Sequence, residues 1–92
     1  VRSIHWTDEA LEQALEIREY LAVTSPEYAE RVVDNLFQRV GQLVEFPYSG
    51  TGVSPSRAAT IRELLVRPYR LIYEVTDRQI RVMAVFYQYQ NP

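Results

Sequence analysis

Two kinds of side chain in the second half of this chain can act on a phosphate. Arg62, Arg67 and Arg70 stand close together, and Tyr87 and Tyr89 lie two residues apart near the end. A guanidinium clamps a phosphate through two parallel hydrogen bonds, while a phenol stacks on a base or donates a proton. Such a set can bind RNA, or cleave it by letting a ribose 2′-OH attack the neighbouring phosphate. The competing reading packs Tyr69, Tyr73 and Tyr87 against helices and leaves the arginines rimming a sheet. Packing is favoured for Tyr69 and Tyr73; Arg70 and Tyr89 stay open between the two readings.

Other chemistries lack their parts. Cysteine is absent, which excludes disulfides and thiol chemistry. The one histidine, His5, has no partner for a catalytic triad or a histidine-based metal site, and beside Trp6 it reads as a structural strand residue. Gly50-Thr51-Gly52 is followed by no Lys-Ser/Thr and no helix, so it is not a phosphate loop. Neither a metal nor a cofactor is expected.

The elements that must position the arginines and tyrosines are legible from Ile61 onward. Three runs rich in β-branched and aromatic residues are separated by Arg67-Pro68 and by Thr76-Asp77-Arg78-Gln79. Connections this short leave no room for a crossover helix and predict an antiparallel meander. Alternation puts Tyr69, Leu71, Tyr73 and Val75 on one face of the middle strand, and Arg70, Ile72 and Glu74 on the other. In the last strand it groups Ile80, Val82, Ala84 and Phe86 against Arg81, Met83, Val85, Tyr87 and Tyr89.

The first half supplies a cover for that sheet. Arg2 to Trp6 reads as a short strand, and Thr7 as the N-cap of a helix running to about Val23, with Asp8 and Glu9 suiting its dipole. Ala10, Leu11, Ala14, Ile17 and Leu21 recur at helical spacing, while Glu9, Glu12, Glu16 and Glu19 form a solubilising opposite side. Ser25 caps a second helix with Pro26 at its first position. Its stripe is Ala29, Val32, Val33, Leu36, Phe37, Val40, Leu43 and Val44, and Pro47 ends it. The short link makes the two helices an antiparallel hairpin. Pro47 to Thr60 has the composition of a loop. The expected fold is α+β: a two-helix antiparallel hairpin on a small antiparallel sheet, in the order β-α-α-β-β-β.

Ninety-two residues make one domain, 1–92, with a single modest core. No apolar run is long enough to span a bilayer and no signal-peptide pattern is present, so a cytoplasmic protein with no membrane partner is expected. The net charge is −2, yet every one of the ten basic residues is Arg. Residues 1–46 carry four arginines against nine acids, whereas 47–92 carry six against three. An arginine-bearing sheet over acidic helices suits an anionic partner on the sheet side, or arginines paired with acids.

Nearly the whole chain resembles the RelE/ParE superfamily, the toxins of type II toxin–antitoxin pairs. The resemblance rests on Trp6-Thr7 with Ala10, Ser25-Pro26 with Ala29, and Leu43 through Phe46-Pro47 to Gly50. It continues in Ile61-Arg62-Glu63-Leu64, Tyr69-Arg70-Leu71-Ile72-Tyr73 and Ile80 to Val85. It implies two helices packed on a small antiparallel sheet, and a cognate antitoxin that wraps the toxin and blocks it. RelE-like members resemble ribonucleases that cut mRNA in the ribosomal A site; ParE-like members inhibit DNA gyrase and have no nuclease centre. Arg70 matches the arginine that nuclease-type members use on phosphate, and Tyr89 their C-terminal tyrosine. Gln88 stands where some carry a catalytic histidine, and their lysines are missing. The tail around Val85-Phe86-Tyr87 also departs from the His and Arg-Arg ending common in ParE-like members.

Charge and proton chemistry tilt the choice toward gyrase. A nuclease that enters the ribosome gains from a strongly basic surface, whereas this chain has a pI near 5.3. Gln88 cannot shuttle a proton. The reading is a ParE-like gyrase inhibitor that contacts its target through Arg62, Arg67, Arg70, Tyr87 and Tyr89. The alternative is a metal-independent, ribosome-dependent mRNA endoribonuclease with Arg70 and Tyr89 as catalytic groups. A degenerate toxin that only binds its antitoxin is a third class.

Overall fold

The computed structural model describes residues 1–52 and 60–89. Ser3–Trp6 forms β1, Asp8–Ala22 α1 and Pro26–Gly41 α2, which tightens into a 3₁₀ turn at Gln42–Val44. The remaining strands are Thr51–Gly52 (β2), Ile61–Val66 (β3), Tyr69–Val75 (β4) and Gln79–Tyr87 (β5). They make one sheet in the order β1-β5-β4-β3-β2, with both helices on one face.

Both helices begin where the capping residues place them. Thr7 Oγ1 accepts from Ala10 N at 3.2 Å, and Ser25 Oγ from Tyr28 N at 3.2 Å, each satisfying an otherwise orphaned first-turn amide. Thr7 has a second task. Its hydroxyl donates to Val82 O at 3.0 Å, so the cap also pins the start of α1 to β5. The buried side of α1 is Ala10 and Ala14, whose small side chains let the helix lie close on the sheet. Leu11 was expected in that stripe but is 39% exposed, because the contact with the sheet is narrower than the apolar stripe. In α2, Ala29, Val33, Leu36 and Val40 are buried, followed by Leu43 in the 3₁₀ turn. Phe37 is only partly covered and meets Trp6 at 4.6 Å between ring centroids.

The meander forms as the sequence predicts. β3–β4 and β4–β5 are antiparallel, with Arg67-Pro68 as the first connection. Tyr69, Leu71, Tyr73 and Val75 all face the core. Three expectations need correction. The sheet is mixed, not wholly antiparallel: β1 runs parallel to β5, Ile4 opposite Ile80 and Trp6 opposite Val82. Alternation in a four-residue strand fixes which side chains face inward, but not its neighbour or its direction. The short β2, pairing Thr51 with Glu63 and Gly52 with Arg62, also falls in what reads as loop.

The third correction is a β-bulge in β5. Tyr73 pairs with Val82 and Ile72 with Ala84, which leaves Met83 as the extra residue. Alternation changes phase there. Val85 therefore joins Ile80 and Val82 in the core, and Ala84 and Phe86 do not. β1 stops opposite Val82, and α1 continues the edge: Gln13 Oε1 accepts from Val85 N at 2.8 Å.

Candidate functional site

The sheet separates the five residues expected to act together. Arg62 pairs across the ladder with Tyr73, a core residue, so its side chain emerges on the helix side at the sheet's end. Nη2 of Arg62 donates to Tyr48 O at 3.2 Å and to Gly50 O, and the guanidinium lies 5.5 Å from the Tyr48 ring centroid. Tyr73 completes this corner: its hydroxyl donates to Pro47 O at 2.8 Å and accepts from Gly50 N at 3.1 Å. Gly50 is buried against them. A Cβ there would run into the Glu63 carbonyl oxygen and lie 2.7 Å from Tyr73 Oη. Arg62 thus holds the loop that leads from the helices into the sheet. Residues 53–59 of the segment between Pro47 and Thr60 lie outside the described residues.

Arg70 emerges on the opposite face, which no helix covers among the described residues. Its Nε and Nη2 both donate to Glu63 Oε2, at 3.0 and 2.7 Å, and its guanidinium packs 5.0 Å from the Phe86 ring centroid. One ladder step pattern further along the same face, Arg81 Nη1 donates to Glu74 Oε1 at 2.9 Å. Arg67 is exposed in the β3–β4 turn and belongs to neither face.

Tyr87 and Tyr89 sit on the helix side. Tyr87 is directly opposite Tyr69, their rings edge to face at 6.0 Å, and Tyr89 stacks on Tyr87 at 5.5 Å in the same manner. Gln88 N donates to Pro68 O at 2.6 Å, which fixes this end of the chain to the β3–β4 turn. Tyr87, Tyr69 and Val85 form one wall of a groove of about 780 Å³; Gln13, Glu16, Ile17, Tyr20 and Tyr28 form the other. The groove continues past Tyr20 and Tyr28 to the exposed Val23 at the hairpin turn. Burial, and then the neighbouring phenols of Tyr28, Tyr87 and Tyr20, push the Tyr69 phenol above its ordinary pKa.

Five of the seven tyrosines thus gather along one trough, including Tyr20 and Tyr28, which the sequence reading did not single out. Their signal was present but weak: two tyrosines flanking a tight helix–helix turn, off the main apolar stripes. Glu63 and Glu74 were also missed as members of a site, although both alternate with core residues on strands bearing arginine. Among the described residues no cluster of three or more His, Asp or Glu side chains could hold a metal ion. No helix among them is long and apolar enough to cross a membrane.

This arrangement, two helices packed on a five-stranded mixed sheet, is that of the RelE/ParE superfamily toxins. Residues 4–92 match the family described as ParE toxin of type II toxin–antitoxin system, parDE, and the chain belongs to that family. Toxin RelE2 of Caulobacter vibrioides is 33% identical over 81 residues, spanning 87% of this chain and 88% of that protein. A chain of the chromosomal ParDE system of P. aeruginosa superposes with a TM-score of 0.77 at 26% identity, covering 94% of this chain and 95% of its own. The YoeB dimer structure from Staphylococcus aureus shares the fold, with a TM-score of 0.63 at 17% identity over 96% and 98% of the two chains.

Proposed function

We propose that this type II toxin acts by binding DNA gyrase, and that its cognate antitoxin seats an amphipathic segment in the tyrosine-lined groove. The observation that carries the first half is the separation of Arg70 from Tyr89. Phosphate cleavage needs a cation and a proton donor converging on one phosphate. Arg70 lies on the open face under Glu63 and Phe86, while Tyr89 stacks on Tyr87 beyond the other face. The acidic total and the ParE family match point the same way. Partner docking is the simpler use of the exposed surface. Tyrosine supplies large contact area with few rotatable bonds, and such residues concentrate binding energy at protein interfaces.

The relative named RelE2 supports mRNA cleavage as the second reading. One experiment separates them: pulse incorporation of labelled thymidine and leucine just after inducing the chain in bacteria without antitoxin. An early halt in thymidine incorporation is expected. An early halt in leucine incorporation alone would transfer the assignment to mRNA cleavage and make Arg70 and Tyr89 catalytic.

A further inference from the structure

The open face of the sheet holds most of what a single-stranded RNA platform uses. Arg70 and Arg81 project from it, and Phe86 offers an aromatic ring beside Arg70. Arginine neutralises phosphate and an exposed aromatic ring stacks on a base of any sequence. Yet each arginine on this face meets an acid across the ladder. Glu63 takes both Nε and Nη2 of Arg70, and Glu74 takes Nη1 of Arg81. Neither pair is loosely splayed into solvent: side-chain exposure is 30% and 19% for Arg70 and Glu63, and 38% and 29% for Arg81 and Glu74. A phosphate that approaches either guanidinium meets a carboxylate already bonded to it and charged, and competes with it.

We infer that Glu63 and Glu74 are specificity determinants, holding the Arg70 and Arg81 guanidinium groups so that the open face does not take single-stranded RNA. This rests on the reading of the chain as a protein-binding toxin and supplies a reason for it: the arginines are present, but each already has a carboxylate bound to its guanidinium. The acids do two things at once. They occupy part of the donor set that a phosphate would use, and they cancel the positive potential that draws a polyanion to a surface.

The isosteric changes E63Q and E74Q keep side-chain shape and an acceptor oxygen while removing each charge. Binding of a short fluorescein-labelled single-stranded RNA is followed by fluorescence anisotropy across a range of salt concentrations. The E63Q/E74Q protein should bind at least about tenfold more tightly than wild type at low salt. Its log–log salt slope should steepen by about 1.4, which is about 0.7 for each arginine freed to meet a phosphate on a single strand. Adding R70Q to that double variant should return about half of the added slope, whereas adding R18Q, which removes the same charge from α1 on the helix side of the sheet, should not; the difference assigns the gain to the Arg70 guanidinium and not to net charge alone. Unchanged affinity and slope in an E63Q/E74Q protein that unfolds at the wild-type denaturant midpoint would overturn the inference. So would wild-type RNA binding as tight as that of the double variant. Gyrase supercoiling with wild-type toxin is measured in parallel. Failure to inhibit there strikes the gyrase reading, while the RNA titration still decides the role of Glu63 and Glu74.

Discussion

Arg62 and Arg70 sit on adjacent strands, and the two faces of the sheet give them opposite work. On the helix side, Arg62 and Tyr73 direct their donors to backbone carbonyls of Pro47, Tyr48 and Gly50. Those carbonyls belong to a loop with no ladder of its own, so side chains substitute for the missing strand partners. On the bare side, Arg70 and Arg81 meet carboxylates instead. The same residue type is structural in one place and electrostatic in the other. What decides is the acceptor that each face presents.

The comparison can be broken most forcefully on the helix side. Gly50→Ala should destabilise the toxin by about 3 kcal/mol, since the new methyl meets backbone as well as the Tyr73 hydroxyl. A denaturant midpoint near wild type would show that the loop shifts freely and that the corner is not rigid. Tyr87→Ala and Tyr28→Ala should each weaken antitoxin binding by about 2 kcal/mol in calorimetric titration, with little change in gyrase inhibition. Equal losses in both assays would place antitoxin and target on one surface. Tyr73→Phe should lower stability by about 1–3 kcal/mol, because the Gly50 amide and the Pro47 carbonyl lose a buried partner. By contrast, Glu63→Gln on the bare face should change stability by less than about 1 kcal/mol, as partly exposed pairs do. A larger loss would mean that the Arg70 pair also holds β3 to β4.

The smallest effect concerns Tyr69. Its native pKa is raised, so the folded protein keeps a proton that the unfolded chain releases, and deprotonation favours unfolding. The stability this represents is complete below the unfolded tyrosine pKa and is lost as the pH climbs through the raised native value. Tyr69→Phe should flatten the alkaline end of a plot of urea midpoint against pH.

Much of this molecule was legible from side-chain periodicity. The capped helices, the meander and the inward set on β4 follow from residues such as Thr7, Ser25 and Tyr73, where local chemistry and burial agree. The family resemblance, too, was carried by short ordered motifs spread along the chain, and the match over residues 4–92 is in line with it. The candidate site was read less well. Arg62 and Arg70 looked like one cluster because linear distance is blind to an even separation across a hairpin with opposite facings. Nor could the sequence reveal that β1 runs beside β5, which brings Thr7 and Gln13 to the far end of the chain. Contacts between residues more than seventy positions apart leave no local trace.

The extra residue at Met83 carries a consequence beyond the core. Downstream of it, every side chain of β5 occupies the face opposite to the one an uninterrupted strand would give. Were Met83 paired in an uninterrupted ladder, Phe86 would turn inward and Tyr87 would come onto the face of Arg70, whereas deleting Met83 would remove the bulge and keep the present facing. In this chain, one unpaired residue keeps the tyrosines of the groove on the face opposite to Arg70.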